Sequence, residues 1–169
     1  METIFRIKIR PVYMLLLLLL TIYSCGSSRE AMDPKEQQQY QELMQLVNAQ
    51  EFEIVNDWAS PQTGNNVSLI GNSNFIRFKG DSVQVYLPYY GERYSGGGYG
   101  TSGGIEYKGP LNNLQIEEGK NGLHMSFEGK QDSEQLKFLI TLFPNGNTST
   151  SVSTSERSSI SYRGEVQNF

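Results

Sequence analysis

From Glu51 to the C-terminus the chain repeats one device: a short segment in which apolar and polar residues alternate, followed by a turn. Phe52, Ile54, Asn56 and Trp58 alternate with Glu51, Glu53, Val55 and Asp57, and Ser60-Pro61 ends the segment. A period of two is the signature of a half-buried strand, because successive side chains of a strand point to opposite faces. Residues 74 to 79 and 82 to 87 flank Gly80-Asp81 and form a predicted hairpin. Further strands are expected at 105–108, 114–118, 123–128, 135–143, 148–154 and 159–166, with turns at 119–122 and at Pro144-Asn145-Gly146. Residues 148 to 159 are almost all Ser and Thr. Val152, Ile160 and Tyr162 nevertheless keep strand spacing around a Ser155-Glu156-Arg157 turn, which favours a polar terminal hairpin over a disordered or glycan-bearing stretch. Short strands with short turns pair antiparallel, since parallel strands need long crossovers.

One helix precedes them. Asp33 is suited to cap it, Pro34 to occupy its first position and Glu36 to reach back as a capping-box acid. Tyr40, Leu43, Met44 and Val47 then recur at i, i+3, i+4 and i+7. This stripe is expected to dock on the sheet, with a partner-binding helix as the alternative. The fold class is therefore α+β and mainly β: one N-terminal helix packed on an antiparallel sheet or open barrel of short strands.

The N-terminus belongs to a different category. Arg6, Lys8 and Arg10 stand before an apolar run from Val12 to Ile22, the layout of an export signal. A bilayer core of ~30 Å takes about 20 helical residues, so this run is too short to span one. Ile22-Tyr23-Ser24-Cys25-Gly26 resembles the lipobox of bacterial lipoproteins, although Tyr23 is bulkier than the usual occupant. Cys25 is the one cysteine of the chain. An exported free thiol is a liability unless consumed, and lipidation of Cys25 consumes it. An ordinary secretory signal with an incidental cysteine is the competing account. The expected organisation is a signal peptide over residues 1–24, a lipidated tether over 25–32 and a single β-rich domain over 33–169. The stretch after Cys25 has no Asp directly behind the cysteine and no acidic cluster. This favours the periplasmic face of the outer membrane, with surface exposure open.

Removing residues 1–24 takes away three of 14 basic and one of 18 acidic residues, leaving 11 against 17. So acidic a chain is not expected to bind nucleic acid. Ten tyrosines, eight phenylalanines and 17 glycines fit a β-rich domain with one core.

Several segments together carry a resemblance. They are Phe52-Glu53-Ile54, the run Leu87 to Tyr94 with its glycine-rich sequel and Gly104-Ile105-Glu106-Tyr107, Asn145-Gly146, and Arg157 to Gly164. With these the chain resembles a family of uncharacterised lipoproteins catalogued as domain of unknown function 4251. The resemblance covers nearly all of the mature region. It implies an exported domain with no established activity and no catalytic residue, in which Pro88, Gly91 and Gly164 are architectural.

Few motifs carry chemistry. Gly98 to Gly103 match G-x-G-x-x-G, but a strand-like Ile105-Glu106-Tyr107 follows where a dinucleotide site needs a helix. His124, Ser126 and Glu128 share the solvent face of one strand, but neighbours two apart are separated by about 6.6 Å, too far for a nucleophile and its base. One histidine and a lipidated cysteine leave a zinc site without ligands. No metal and no cofactor is expected. Glu51 with Glu53, and Asp132 with Glu134, are expected to be solvated charge. Asp81-Ser82-Val83 resembles a short bacterial O-glycosylation sequon, which makes Ser82 a candidate modification site.

The segment Pro88 to Gly104 holds Tyr89, Tyr90, Tyr94 and Tyr99 among seven glycines. Long loops in compact domains are functional or disordered, and tyrosine joins apolar area to a hydroxyl. These four tyrosines are candidates for binding an envelope protein or a glycan. Packing of Tyr89 and Tyr90 beneath the turn is the competing account. The expected function is a non-enzymatic binding or accessory module held to the membrane by its lipid. The alternative is an envelope hydrolase built on carboxylates such as Glu92 and Glu106.

Overall fold

The structure is a computed structural model that describes residues 33–95 and 103–168. The export signal, Cys25, Tyr99 and most of the G-x-G-x-x-G match lie outside the described residues.

Helix α1 (Pro34–Ala49) begins where the sequence predicts. Asp33 caps it by accepting from the Lys35 N–H at 3.3 Å, one position short of capping-box geometry, and Pro34 opens the first turn. Gln50 ends it in the left-handed region at φ 52°. Leu43 and Val47 are buried, with Tyr40 and Met44 packed beside them against the core. The apolar stripe is thus spent inside the domain.

Ten strands follow: β1 (Glu51–Pro61), β2 (Val67–Ser68), β3 (Phe75–Lys79), β4 (Ser82–Leu87), β5 (Ile105–Pro110), β6 (Asn112–Gly119), β7 (Gly122–Gln131), β8 (Glu134–Leu142), β9 (Asn147–Thr154) and β10 (Ile160–Gln167). All pairings are antiparallel, in the order β5-β4-β3-β1-β10-β9-β8-β7-β6, with β2 paired to β1. The sheet curls into a nearly closed barrel, and the described residues are mainly β with one helix. Its interior is lined by alternate residues, among them a train of rings. Phe52 stacks on Phe78 at 4.5 Å, Phe78 meets Phe127 edge-on, and Phe127 stacks on Phe138 at 4.5 Å.

Where β5 comes round to β7, side chains stand in for a ladder. The Tyr107 ring lies over Gly129, where a Cβ would crowd it. Its hydroxyl donates to Pro110 O at 2.7 Å and accepts from Asn112 Nδ2 at 3.3 Å. Gln131 Oε1 accepts from the Glu106 N–H at 3.0 Å. Covering a glycine with a ring is a recurrent means of closing a sheet.

In β1 the alternation breaks. Asn56 faces Gly164 and Trp58 faces Arg163, so Asp57 is an extra residue. The bulge flips everything after it. Trp58, expected inside with Phe52 and Ile54, is 40% exposed, and Ala59 is buried instead. At the bulge the Asn74 side chain takes the role of a neighbouring strand, accepting from the Asn56 N–H at 2.9 Å and donating to Asn56 O at 2.8 Å.

The two ends of the barrel differ. At one end lie the start of β1, the β3–β4 turn, the β6–β7 turn and the C-terminus of α1, with the Gly80 N–H donating to Gln50 O. Here Tyr40 of α1 donates to Glu118 Oε1 at 3.1 Å. At the other end gather the β4–β5 loop, the β7–β8 turn and the β9–β10 turn.

Candidate functional site

Leu87 pairs with Ile105, so the Pro88 to Gly104 loop leaves and returns on adjacent strands. Both roots are held by residues of the β9–β10 turn and of β10. On the outgoing limb, Pro88 O accepts from Tyr162 OH at 2.8 Å. The Tyr89 hydroxyl lies 2.8 Å from Glu92 O and 2.9 Å from both the carbonyl oxygen and Oγ of Ser158. One phenolic proton serves one carbonyl while Ser158 Oγ donates back. Ser158 and Glu92 also exchange bonds, Ser158 N–H to Glu92 O at 2.9 Å and Glu92 N–H to Ser158 Oγ at 3.1 Å. Gly91 fits because a Cβ there would strike the Tyr89 ring and Ser158 Oγ. On the returning limb, Arg157 Nη1 donates to Gly104 O at 2.7 Å.

Arg157 is the hub. It is 3% exposed and Glu134, at the start of β8, 2% exposed. Arg157 Nε lies 3.0 Å from both Glu134 carboxylate oxygens, and Nη2 donates to Oε2 at 2.8 Å. The guanidinium also sits 5.2 Å from the Tyr89 ring centroid. Thr154 Oγ1 shapes the turn by accepting from the Arg157 N–H at 2.8 Å. Beside this core, Ser133 Oγ donates to Glu156 Oε1 at 2.6 Å, Arg93 Nη1 stands 3.8 Å from Glu156 Oε2, and the Tyr94 N–H donates to Glu156 O at 2.7 Å. Desolvation is the main cause of a Tyr162 hydroxyl pKa pushed far up; Tyr89 and Tyr90 add to the rise and the Arg157 charge opposes it.

The three candidate tyrosines among the described residues therefore part company. Tyr89 is a structural prop. Tyr90 and Tyr94 are exposed, Tyr94 by 67%. Glu134 is not solvated charge, as its place near Asp132 suggested, but half of a buried ion pair. The sequence offered one signal for it: Glu134 and Arg157 each border a turn, and those turns sit side by side once β8 and β9 pair. Both oxygens of Glu134 accept from Arg157 and the carboxylate is buried, so it presents no accessible oxygen at the surface. The proposed hydrolase carboxylates fare no better. Glu92 is exposed in the loop, and Glu106 lies on the outer face of β5. His124 faces outward, with Nδ1 3.2 Å from Thr141 Oγ1, and Glu128 accepts from Asn113 Nδ2. Among the described residues no group of three or more His, Cys, Asp or Glu is placed to hold a metal. Ser82 is exposed at the β3–β4 turn and donates to Lys79 O at 2.8 Å.

Together these features define a class: a helix-capped, nearly closed antiparallel barrel whose longest loop is fastened by a buried arginine. The chain belongs to the DUF4251 family, a domain of unknown function whose model matches residues 34–166. Among solved structures, that of a DUF4251 family protein from Bacteroides eggerthii DSM 20697 is similar, with a TM-score of 0.60 at 16% identity over 77% of this chain and 87% of that one. Identity that low speaks for the fold alone. No curated protein matches the sequence.

Proposed function

We propose that this chain is a non-enzymatic binding module of the cell envelope, anchored to the outer membrane through an acylated Cys25. The observation that carries the binding reading is the loop end itself. A buried Arg157–Glu134 pair and the Tyr89–Ser158 bonds fix both roots of a long loop while Tyr90 and Tyr94 project into solvent. Side chains held on a rigid base lose little entropy on binding, which is what a recognition surface needs. The anchor rests on the lipobox-like run before Cys25.

One experiment addresses both parts. The full chain carrying a photo-crosslinking benzoylphenylalanine at Tyr94, and in a second variant at Tyr90, is expressed in a lipoprotein-competent host, irradiated and fractionated. The expected result is a discrete adduct in the outer-membrane fraction, and release of the Cys25→Ala variant to the soluble fraction. A wild-type chain that is wholly soluble overturns the anchor. Absence of any adduct at both Tyr90 and Tyr94 overturns the loop as a binding surface.

A further inference from the structure

The outer face of β3, β4 and β5 carries an organised set of side chains that the loop end does not use. Cross-strand register places Phe75, Tyr86 and Glu106 in one row and Arg77, Gln84 and Lys108 in the next. Rows two residues apart on a strand are separated by about 6.6 Å, and neighbouring strands by about 4.8 Å. Tyr86 is 44% exposed, and its ring centroid lies 6.1 Å from that of Phe75. The Arg77 guanidinium covers Phe75 from one side at 4.5 Å and bonds the Glu53 carboxylate, which neutralises its charge within the sheet. Between the rows runs an open groove of about 640 Å³ lined by Ser73, Phe75, Gln84, Tyr86, Glu106 and Lys108.

We propose that this groove binds a neutral saccharide chain. The inference rests on the reading of the chain as a binding module and supplies a ligand class for it. A sugar ring presents an apolar C–H face and a rim of hydroxyls that both donate and accept. The groove answers each part, with an aromatic floor at Tyr86 and Phe75 and, around it, an amide (Gln84), a carboxylate (Glu106) and an ammonium (Lys108). An amide offers donors and acceptors together, a carboxylate only accepts and an ammonium only donates, so the set matches hydroxyls of either role. The charges of Glu106 and Lys108 cancel, and the whole chain is acidic, which disfavours a polyanion. The groove is open rather than enclosed, which suits a chain lying across the strands better than a small molecule buried on all sides.

The test uses the detergent-solubilised full chain in native affinity gels containing amylopectin, mannan, xyloglucan or a mixed-linkage β-glucan, with dextran sulfate as the charged comparison. Retardation is expected in at least one neutral gel. Tyr86→Ala should weaken it tenfold or more, while Tyr86→Phe, which keeps the ring, should stay within about threefold of wild type. Lys137→Ala, at an exposed position of β8 on another part of the sheet, should leave it unchanged. Wild type unretarded in all four neutral gels, retardation by dextran sulfate alone, or equal retardation of Tyr86→Ala and wild type each overturns the proposal. A protein adduct from a crosslinker at position 86 without neutral-gel retardation reassigns the face to a protein partner and overturns it as well. Failure here with the Tyr94 adduct intact sinks the saccharide groove alone. Retardation without that adduct sinks the loop reading alone.

Discussion

Replacing Arg157 with Met tests the claim that the loop end is fastened from inside. The substitution keeps apolar bulk but leaves the Glu134 carboxylate, 2% exposed, without its three charge-assisted bonds. Breaking a buried ion pair from one side costs about 3–5 kcal/mol, chiefly through the stranded charge. Loss of the 2.7 Å bond to Gly104 O adds about 1 kcal/mol. Loosening of the loop roots admits water and returns part of this, so a net loss of about 4 kcal/mol is expected. Against a total stability of ~5–15 kcal/mol this is large, and at roughly 3 °C per kcal/mol for a domain of this size it lowers Tm by about 12 °C. The double variant Arg157→Met/Glu134→Leu removes both charges and should fall within about 2 kcal/mol of wild type, since an apolar replacement of a buried pair is often nearly neutral. The assay is a double-mutant cycle by denaturant unfolding, with amide exchange read at Tyr94 and Ser158, whose N–H groups bond Glu156 O and Glu92 O. A single variant costing under about 1 kcal/mol, or strict additivity of the two singles, refutes the stranded-charge argument.

Two further outcomes are expected. Gly164→Ala should destabilise the fold sharply, by about 2 kcal/mol or more, because a Cβ there overlaps the Val55 carbonyl and the Asn56 Cα at the bulge, and backbone cannot swing aside as a side-chain tip can; an unchanged melt would contradict the close approach. Burial raises the Tyr162 hydroxyl pKa above its ordinary 10.0 in the folded chain, so the unfolded state loses its proton first as pH rises and stability, fully present below about pH 10, declines above it. Tyr162→Phe should flatten that decline in alkaline denaturation curves, with a residual slope from Tyr107, whose pKa burial also raises; an identical slope would refute the assignment.

Much of the scaffold was legible because it follows from periodicity and turn chemistry. Asp33-Pro34 starts the helix and Gly80-Asp81 turns the first hairpin. Leu123, Met125 and Phe127 face the core while His124 faces out, as alternation requires. What escaped notice depends on contacts between segments far apart in sequence. No local pattern marks Asp57 as an extra residue, since the bulge exists only in the register with β10, and Trp58 is misplaced by that one step. The two-residue β2 and buried Leu69 follow from a loop folding back onto β1, where the Leu69 N–H bonds Asp57 O at 2.8 Å. The Glu134–Arg157 pair spans 23 residues, and a charged residue in a turn gives no sign of burial until the neighbouring turn is placed beside it. For the candidate site, a tyrosine-rich loop was visible, but which tyrosines support it and which project was not.

That division bears on where recognition is placed. A side chain whose polar atoms are all taken up within the fold contributes rigidity and has little left to offer a ligand. Tyr89, Tyr162, Arg157 and Glu134 are of this kind, each hydroxyl or charge already bonded in the loop base. Tyr86, Gln84, Glu106 and Lys108 are of the other kind, standing on the outward side of paired strands whose inward side is the packed core at Val83, Val85, Ile105 and Tyr107. Strand backbones set their spacing within the ladder, so the groove is preorganised without spending its own polar groups. The loop base and the outer face thus predict opposite mutational signatures: Arg157→Met lowers stability by about 4 kcal/mol, whereas Tyr86→Ala, which loses the cross-strand contact with Phe75 and no core packing, should cost no more than about 1 kcal/mol while weakening saccharide retention tenfold or more.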